Sequence, residues 1–263
     1  MFELVLFSTV LPFIQEAVRA GVQTILVDWE WRGKNQRQKS MDTQINGDTV
    51  DDLRRVSASS CANIICRINR HTLLRVDEIE QAIDAGADEI LLPMVSSAEE
   101  VELVLDIVAQ RCGVGIMLET SAAVENAHEL AQLPLSRAYV GLNDLAIERA
   151  TPNIFTAVVD GTVEHVRSFF KIPFGFAGLT LPTKGWPIPC SLIIAELARL
   201  ECDFSFLRRS FHRDIKDANI NDEIPRLLAT LNQATQRSAE RVREDRAALE
   251  HGIITRPCSI MKA

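Results

Sequence analysis

Residues 17–30, AVRAGVQTILVDWE, decide the fold, because residues 82–95, AIDAGADEILLPMV, repeat their pattern. Each segment reads as the end of an amphipathic helix, an Ala-Gly stop and then an apolar strand. Two looser copies of this helix, turn and strand begin at His128 and Ala195. A repeated helix–strand unit is typical of α/β proteins built from βαβ crossovers.

In every copy the strand is an uninterrupted apolar run, which indicates a strand covered on both faces, as in a parallel sheet. This pattern gives eight candidate strands, at residues 3–7, 24–28, 63–67, 89–92, 115–119, 138–141, 175–179 and 204–207. That number in a chain of 263 residues predicts a closed (β/α)8 TIM barrel. An open doubly wound sheet is the alternative, although no GxGxxG turn follows the first strand.

The chain is expected to contain one barrel domain and a tail. No Ser/Gly/Pro-rich linker interrupts the first part of the sequence, so we predict a catalytic barrel over residues 1–215. Residues 216–263 turn polar, with apolar residues at helical spacing, and are predicted to form a C-terminal helical extension. This extension either caps the barrel or contacts another subunit.

Composition excludes several partners. The net charge of −8 and the pI near 5.2 argue against a nucleic-acid partner. Six cysteines without a CxxC pair, and the lack of a signal segment, indicate a reducing cytoplasmic compartment. No apolar run approaches the about 20 residues that cross a bilayer, so we expect a soluble protein with no membrane contact.

Charged side chains follow the predicted strands at their carboxyl ends, where barrel enzymes hold their catalytic groups. These positions are Asp28, Glu30, Arg67, Glu119, Asp144 and Arg208. Carboxylates held close together repel each other unless one is protonated or a cation lies between them, and hard oxygen ligands favour Mg²⁺ or Mn²⁺. A metal-free acid dyad, or acids paired with Arg67 and Arg208, are the alternatives.

Five segments together resemble the metal-dependent 2-oxo acid (hydroxy-oxo-heptanedioate type) aldolase and citrate lyase β-subunit family of the phosphoenolpyruvate/pyruvate barrel superfamily. In chain order they are GVQTILVDWE, CRINR, AIDAGADEILLPMVSSAEEV, GIMLETSAAVENAHEL and AYVGLNDLA. The resemblance covers about residues 1–215. Its most specific parts are the GAD segment through Val95 and the combination of LETSAAVEN with GLNDL.

The resemblance implies that Glu119 and Asp144 bind one Mg²⁺ or Mn²⁺ per subunit. It also implies that Arg67 steadies the oxo or enolate oxygen of the substrate, a task suited to the fixed fork of donors of a guanidinium. A salt bridge from Arg67 to Glu30 or Asp28 is the structural alternative.

The same resemblance places backbone amides around Pro93, Met94 and Asn143 near the substrate carboxylate. Gly141 would let the backbone approach the ligand closely, although a steric need at the corner between strand and loop explains this glycine equally well.

The proton-transfer half of the site departs from the family pattern. Trp31 stands where aldolases have a histidine, and Met117 where they often have glutamine. Glu30 and His71 are therefore the candidate general bases, with His212 as a further histidine after a strand. The irregular segment from Gly178, GLTLPTKGWPIPC, is either a lid or a plain connecting loop.

The predicted function is that of a class II aldolase, a lyase that cleaves or forms a carbon–carbon bond next to pyruvate or a related 2-oxo acid. One alternative is a lyase for acyl-CoA thioesters, which the Arg-x-Asn of Arg67 and Asn69 favours. Another is a barrel that binds metal and oxo acid without turnover. The resemblance further implies a homo-oligomer, trimer or hexamer, and a small-molecule 2-oxo acid as the partner.

Overall fold

A computed structural model of the protein describes residues 2–30, 47–70 and 76–255. Eight parallel strands close into a barrel in sequence order, and β1 pairs with both β2 and β8. The strands are β1 (Glu3–Phe7), β2 (Thr24–Asp28), β3 (Asn63–Arg67), β4 (Glu89–Leu92), β5 (Gly113–Leu118), β6 (Arg137–Val140), β7 (Phe174–Leu179) and β8 (Phe204–Leu207). The predicted TIM barrel is confirmed, and the open sheet is excluded.

The strands alternate between an inner and an outer core. Val5 and Phe7 of β1 belong to the cluster inside the barrel, whereas Leu4 and Leu6 pack outward against the helices. Both faces of each strand are therefore covered, which explains the uninterrupted apolar runs. The inner cluster consists of Val5, Phe7, Leu26, Ile65, Leu91, Met117, Tyr139, Phe204 and Phe206.

Helices cover the outside of the barrel between the strands. Gly21 ends the first helix with a φ of 119°, and Gly86 follows the third with a φ of 92°, so both Ala-Gly stops use the left-handed backbone that glycine favours. No helix of the described residues is long and apolar enough to cross a membrane. The helices are α1 (Leu11–Ala20), α2 (Val50–Ser59), α3 (Val76–Asp84), α4 (Ala98–Val108), α5 (Ser121–Glu125), α6 (Ala127–Leu130), α7 (Leu142–Glu148), α8 (Thr156–Val159), α9 (Thr162–Arg167), α10 (Cys190–Arg199) and α11 (Arg209–Asp214).

A buried ion-pair cluster closes the amino-terminal end of the barrel. Arg137, the first residue of β6, donates from Nε to Glu89 at 2.7 and 2.9 Å and from Nη1 to Glu3 at 3.0 Å. A side chain on Gly115 would place its Cβ 2.5 Å from Glu89 Oε1, so this glycine makes room for the cluster. The strands β1, β4 and β6 therefore begin with paired charges, although sequence alone predicted only their apolar runs.

The tail forms two helices after the 3-10 turn Ile215–Asp217, namely α12 (Ile220–Thr235) and α13 (Ala239–Thr255). Leu227 and Leu231 of α12 and Leu249 of α13 are buried, and the two helices pack on α10. Arg246 of α13 bonds to Glu196 of α10 and to the carbonyl oxygens of residues 158 and 159 of α8. The tail caps its own barrel over the described residues, and its contact with another subunit stays a prediction.

Candidate active site

The carboxyl ends of the strands place charged side chains inside the barrel mouth. Each position lies two residues beyond an inner-core residue of the same strand, so it continues the series that points into the barrel. The pairs of core residue and charged residue are Leu26 and Asp28, Ile65 and Arg67, Met117 and Glu119, and Phe206 and Arg208.

Arg67 is held in a fixed orientation by carboxylates of the neighbouring strand. Its Nε and Nη2 donate to the two oxygens of Asp28 at 2.8 and 2.6 Å, and its Nη1 lies 3.2 Å from Glu30 Oε2 and 3.6 Å from Met117 Sδ. Burial opposes the charge of Arg67, but Asp28 and Glu30 outweigh it and raise the pKa of the guanidinium. The salt bridge from Arg67 to Asp28 and Glu30, considered above as an alternative, is therefore formed. It orients Nη1 of Arg67 towards Met117 and Glu30.

Glu119 is a buried carboxyl group beside a second acid. Its side chain is 2% exposed, and its Oε1 accepts a hydrogen bond of 2.9 Å from the Met94 amide. Burial, followed by the negative charges of Asp144 and Glu30, raises the pKa of Glu119 to about 8. Without a cation, Glu119 therefore holds a proton near neutral pH.

Asp144 reaches the same place from the first turn of α7, directly after β6. It is half-buried, and its charge acts on Glu119 strongly enough to be the largest electrostatic contribution to the raised pKa of that group. A Cβ on Gly141 would lie 2.4 Å from Glu119 Oε2 and 2.8 Å from Glu119 Cβ. Gly141 therefore leaves room for the carboxylate of Glu119.

The two acids fit a hard divalent cation. Two neighbouring carboxylates repel each other, and burial of one of them favours its protonated form. A cation that replaces this proton stabilises both carboxylates. The described ranges contain no group of three or more His, Cys, Asp or Glu side chains able to bind a metal. Mg²⁺ commonly uses one or two carboxylates and fills its other positions with water and substrate, so the pair Glu119 and Asp144 suits it.

The backbone amides that were predicted to lie near the substrate carboxylate belong to two segments, one after β4 and one in the first turn of α7. The amide of Met94, whose φ is 55°, is used to position Glu119, and Pro93 has no amide hydrogen to donate. The Met94 amide thus supports the predicted metal ligand, and the contact of this segment with a substrate carboxylate stays a prediction. Asn143 lies half-buried in the first turn of α7, and its contact with substrate stays a prediction.

The candidate general bases Glu30 and His212 contact different parts of the barrel. Glu30 is 1% exposed and lies in the mouth beside Arg67. His212 Nε2 lies 2.6 Å from the carbonyl oxygen of Phe7, and burial lowers the pKa of this imidazole, so its contact is with the end of β1. His71 and Trp31 lie outside the described residues.

The segment after β7 contains no helix or strand up to Cys190. Trp186, which precedes a cis peptide bond to Pro187, is 77% exposed. Its ring therefore faces solvent over most of its surface, and the predicted role of this segment as a lid stays a prediction.

Sequence reasoning missed three groups that shape the mouth. Asp48 accepts the Asp28 amide at 2.9 Å, and the ring of Phe7 lies beneath both Arg67 and Arg208. The ring of Tyr139 stacks on Phe206 at 3.8 Å between centroids. The inward alternation of β1 and β6 could have identified Phe7 and Tyr139, whereas Asp48 stands in an irregular loop with no pattern to mark it.

The sequence profile of the HpcH/HpaI aldolase/citrate lyase family matches residues 11–153, more than half of the chain. The protein therefore belongs to this aldolase and lyase family, and the resemblance seen in the sequence is confirmed. The matched part contains Arg67, Glu119 and Asp144. No curated protein sequence matches the chain significantly.

Three crystal structures share the fold, each with a TM-score of 0.58. An HpcH/HpaI aldolase from Desulfitobacterium hafniense DCB-2 is 14% identical, with 78% of this chain and 85% of that chain covered. An HpcH/HpaI aldolase/citrate lyase family protein from Burkholderia cenocepacia J2315 is 15% identical over 89% and 93% of the two chains. The citrate synthase SbnG is 18% identical over 89% and 94%.

Proposed function

We propose that this protein is a divalent-metal-dependent carbon–carbon lyase, an aldolase that cleaves or forms the bond next to pyruvate or a related 2-oxo acid. Membership of the HpcH/HpaI aldolase/citrate lyase family supports lyase activity. The observation that carries the proposal is Glu119, a buried acid with a pKa of about 8, placed beside Asp144 and in the electrostatic range of Arg67. A cation site and an oxyanion donor in one barrel mouth suit chemistry on an enolate.

Glu119 and Asp144 would bind Mg²⁺ or Mn²⁺, and the ion would supply Lewis-acid stabilisation of negative charge on the 2-oxo oxygen. Arg67 contributes to the same task from the side of β3. Because Asp28 holds two of its nitrogens, the guanidinium needs little reorganisation when charge develops on the substrate. Removing such a donor commonly lowers the rate about 10²- to 10³-fold.

Glu30 is the proposed proton carrier, because its carboxylate lies buried beside Arg67 Nη1. In the cleavage direction it accepts the proton of the 4-hydroxyl group through a water molecule. The bond between C3 and C4 then breaks to give an aldehyde, and the same proton returns to C3 of the 2-oxo acid product.

The acyl-CoA alternative stays a prediction, and the structure shows a contact of Asn69, one of the two residues that favour it. Asn69 donates from its backbone and side-chain nitrogens to Glu78 Oε1 of α3 at 3.0 and 2.7 Å. These hydrogen bonds give Asn69 a structural task at the end of β3, and a panel of malyl and citramalyl thioesters tests this alternative. The cytoplasmic location and the homo-oligomer stay predictions.

The experiment that tests the proposal measures pyruvate released from a 4-hydroxy-2-oxo acid by protein treated with EDTA, before and after addition of Mg²⁺ or Mn²⁺. We expect turnover only with the ion. Glu119→Gln and Asp144→Asn should abolish both turnover and Mn²⁺ binding, because each removes an anionic ligand. Turnover that persists in EDTA contradicts the proposal.

Glu125→Gln is the matched control, since Glu125 is an exposed acid of α5 in the same βα unit as Glu119. This variant should bind Mn²⁺ and turn over like the unmodified protein. Binding of Mn²⁺ and oxalate without release of pyruvate from any 4-hydroxy-2-oxo acid would instead favour a binding barrel without turnover.

A further inference from the structure

We propose that Asp48 is a positioning residue for the lyase reaction, and that it holds the end of β2 so that Asp28 keeps the guanidinium of Arg67 in its fixed orientation. This inference rests on the proposed function and adds to it a residue that acts without touching the substrate. Three features of the described residues support it: the carboxylate that orients Arg67, the hydrogen bond from β2 to Asp48, and the contacts that fix Asp48 itself.

The end of β2 provides the carboxylate that orients Arg67. Asp28 is the last residue of β2, is fully buried and pairs in register with Arg67 of β3. Its two oxygens accept hydrogen bonds from Nε and Nη2 of Arg67 at 2.8 and 2.6 Å, which fixes the plane of the guanidinium. Glu30 adds a contact to Nη1 at 3.2 Å, and its own amide donates to Asp28 Oδ1 at 3.2 Å. The orientation of Arg67 therefore depends on where the Asp28 carboxylate lies.

Asp48 holds the backbone of β2 at this point. The pairing of β1 with β2 ends at Phe7 and Leu26, two residues before Asp28. Beyond it, the amide of Asp28 donates to Asp48 Oδ2 at 2.9 Å, so the carboxylate of Asp48 satisfies a donor at the end of the strand. A buried amide that loses its acceptor is costly, and the strand end would shift to find another.

Asp48 is itself held between β1 and α2. Its Oδ1 lies 3.4 Å from Thr9 Oγ1, just after β1. The next residue, Thr49, caps α2 in a reciprocal pair of hydrogen bonds with Asp52, and its carbonyl oxygen accepts a hydrogen bond of 3.1 Å from the ring nitrogen of Trp29. The start of α2 is thus anchored at the ends of both β1 and β2, which gives Asp48 a defined place beside Asp28.

The role of Asp48 depends on its acceptor oxygen. Burial raises the pKa of Asp48, the amide of Asp28 lowers it, and the charges of Asp28 and Asp52 raise it again. The negative charge of Asp48 is therefore unfavourable beside these two acids, whereas its hydrogen bond to the amide is favourable. An asparagine keeps an acceptor of the same reach, so it should replace Asp48.

The test measures kcat for release of pyruvate from a 4-hydroxy-2-oxo acid, together with the affinity for Mn²⁺. Asp48→Ala removes the acceptor and should lower kcat about 10- to 100-fold, as expected when a reacting group is misplaced by about 1 Å. Mn²⁺ affinity should stay unchanged, because the proposed ligands Glu119 and Asp144 follow β5 and β6. Asp48→Asn should retain most of the kcat of the unmodified protein.

A double-mutant cycle shows whether Asp48 acts through Arg67. Arg67→Lys has no fork of donors for Asp28 to orient, so adding Asp48→Ala to it should lower kcat less than about 2-fold. Asp51→Asn is the matched control, because Asp51 is an acid of the first turn of α2 whose side chain is 93% accessible, and it should leave kcat unchanged. Equal losses from Asp48→Ala in both backgrounds overturn the proposal, as does a loss in Asp48→Asn as large as in Asp48→Ala.

Failure of the proposed function has a different signature, namely that the unmodified protein releases no pyruvate. The orientation of Arg67 is then measured by solvent exchange of its Nε hydrogen in ¹⁵N NMR, with the signal assigned by its loss in Arg67→Lys. Because Asp28 accepts this hydrogen, exchange should be slow in the unmodified protein and in Asp48→Asn, and faster in Asp48→Ala. Equal exchange in the three proteins overturns the role of Asp48.

Discussion

Glu119 should make the metal-free protein less stable as the pH rises from about 5 to about 8. Its pKa is about 8 in the folded protein, against 4.5 for an unperturbed carboxyl group. Between these values the folded state binds more protons than the unfolded state, so the free energy of unfolding falls with increasing pH. The contribution of Glu119 is fully present below its unfolded pKa and is lost as the pH passes its folded pKa. At about 1.36 kcal/mol per pKa unit, the loss is about 5 kcal/mol at most.

Urea unfolding in EDTA at several pH values between 5 and 9 measures this effect. Glu119→Gln does not titrate, so its stability should rise relative to the unmodified protein as the pH rises, whereas Glu125→Gln should follow the unmodified protein. Adding Mg²⁺ should stabilise the unmodified protein more at pH 8 than at pH 6, because at the lower pH the ion must displace a proton. Parallel pH profiles for the unmodified protein and Glu119→Gln would refute the reasoning.

Three further substitutions test other contacts. Arg67→Lys should lower kcat/KM about 10²-fold or more in the aldol assay, because lysine cannot hold both oxygens of Asp28 and also face the substrate; an unchanged kcat/KM contradicts this. Gly141 has φ −85° and ψ 95°, a backbone conformation that alanine can adopt, but the Cβ of Gly141→Ala displaces Glu119. Mn²⁺ affinity should therefore weaken, as measured by titration, and the free energy of unfolding in urea should fall by about 1–3 kcal/mol. Arg137→Met leaves the carboxylates of Glu3 and Glu89 without their arginine at the base of the barrel. It should lower the free energy of unfolding by about 3–5 kcal/mol, measured in urea.

The fold was predictable because two signals in the sequence agree. Predicted runs of four or five residues matched strands that are covered on both faces, and the Ala-Gly stops matched left-handed helix ends at Gly21 and Gly86. The bounds differ at the start of β5, β6 and β7, which begin earlier than predicted, at Gly113, Arg137 and Phe174. Arg137 is the clearest case, since it joins β6 with a charged side chain that pairs inside the barrel.

The site was predictable in outline, because parallel strands bring their carboxyl ends to one mouth. Its detail depends on contacts that no local pattern encodes. Met94, after β4, donates its amide hydrogen to Glu119, after the neighbouring β5, and Asp48 accepts a hydrogen bond from the Asp28 amide. The resemblance to the family placed Pro93 and Met94 near the substrate carboxylate, and the hydrogen bond from the Met94 amide to Glu119 is a contact that the resemblance did not include.

The charged side chains at the two ends of the barrel differ in how they are paired. At the base, burial raises the pKa of Glu89, yet Arg137 bonds both of its oxygens and also reaches Glu3, so the acids there are paired within the protein. At the mouth, Glu119 and Asp144 follow β5 and β6, while Asp28 and Glu30 pair with Arg67 over the ring of Phe7. Burial and the charge of Arg67 lower the pKa of Arg208 to about 10, which leaves it protonated at neutral pH. At the base the buried acids are matched by an arginine of the protein itself, whereas at the mouth burial and the charge of Asp144 raise the pKa of Glu119, and a bound cation is the proposed counter-charge there.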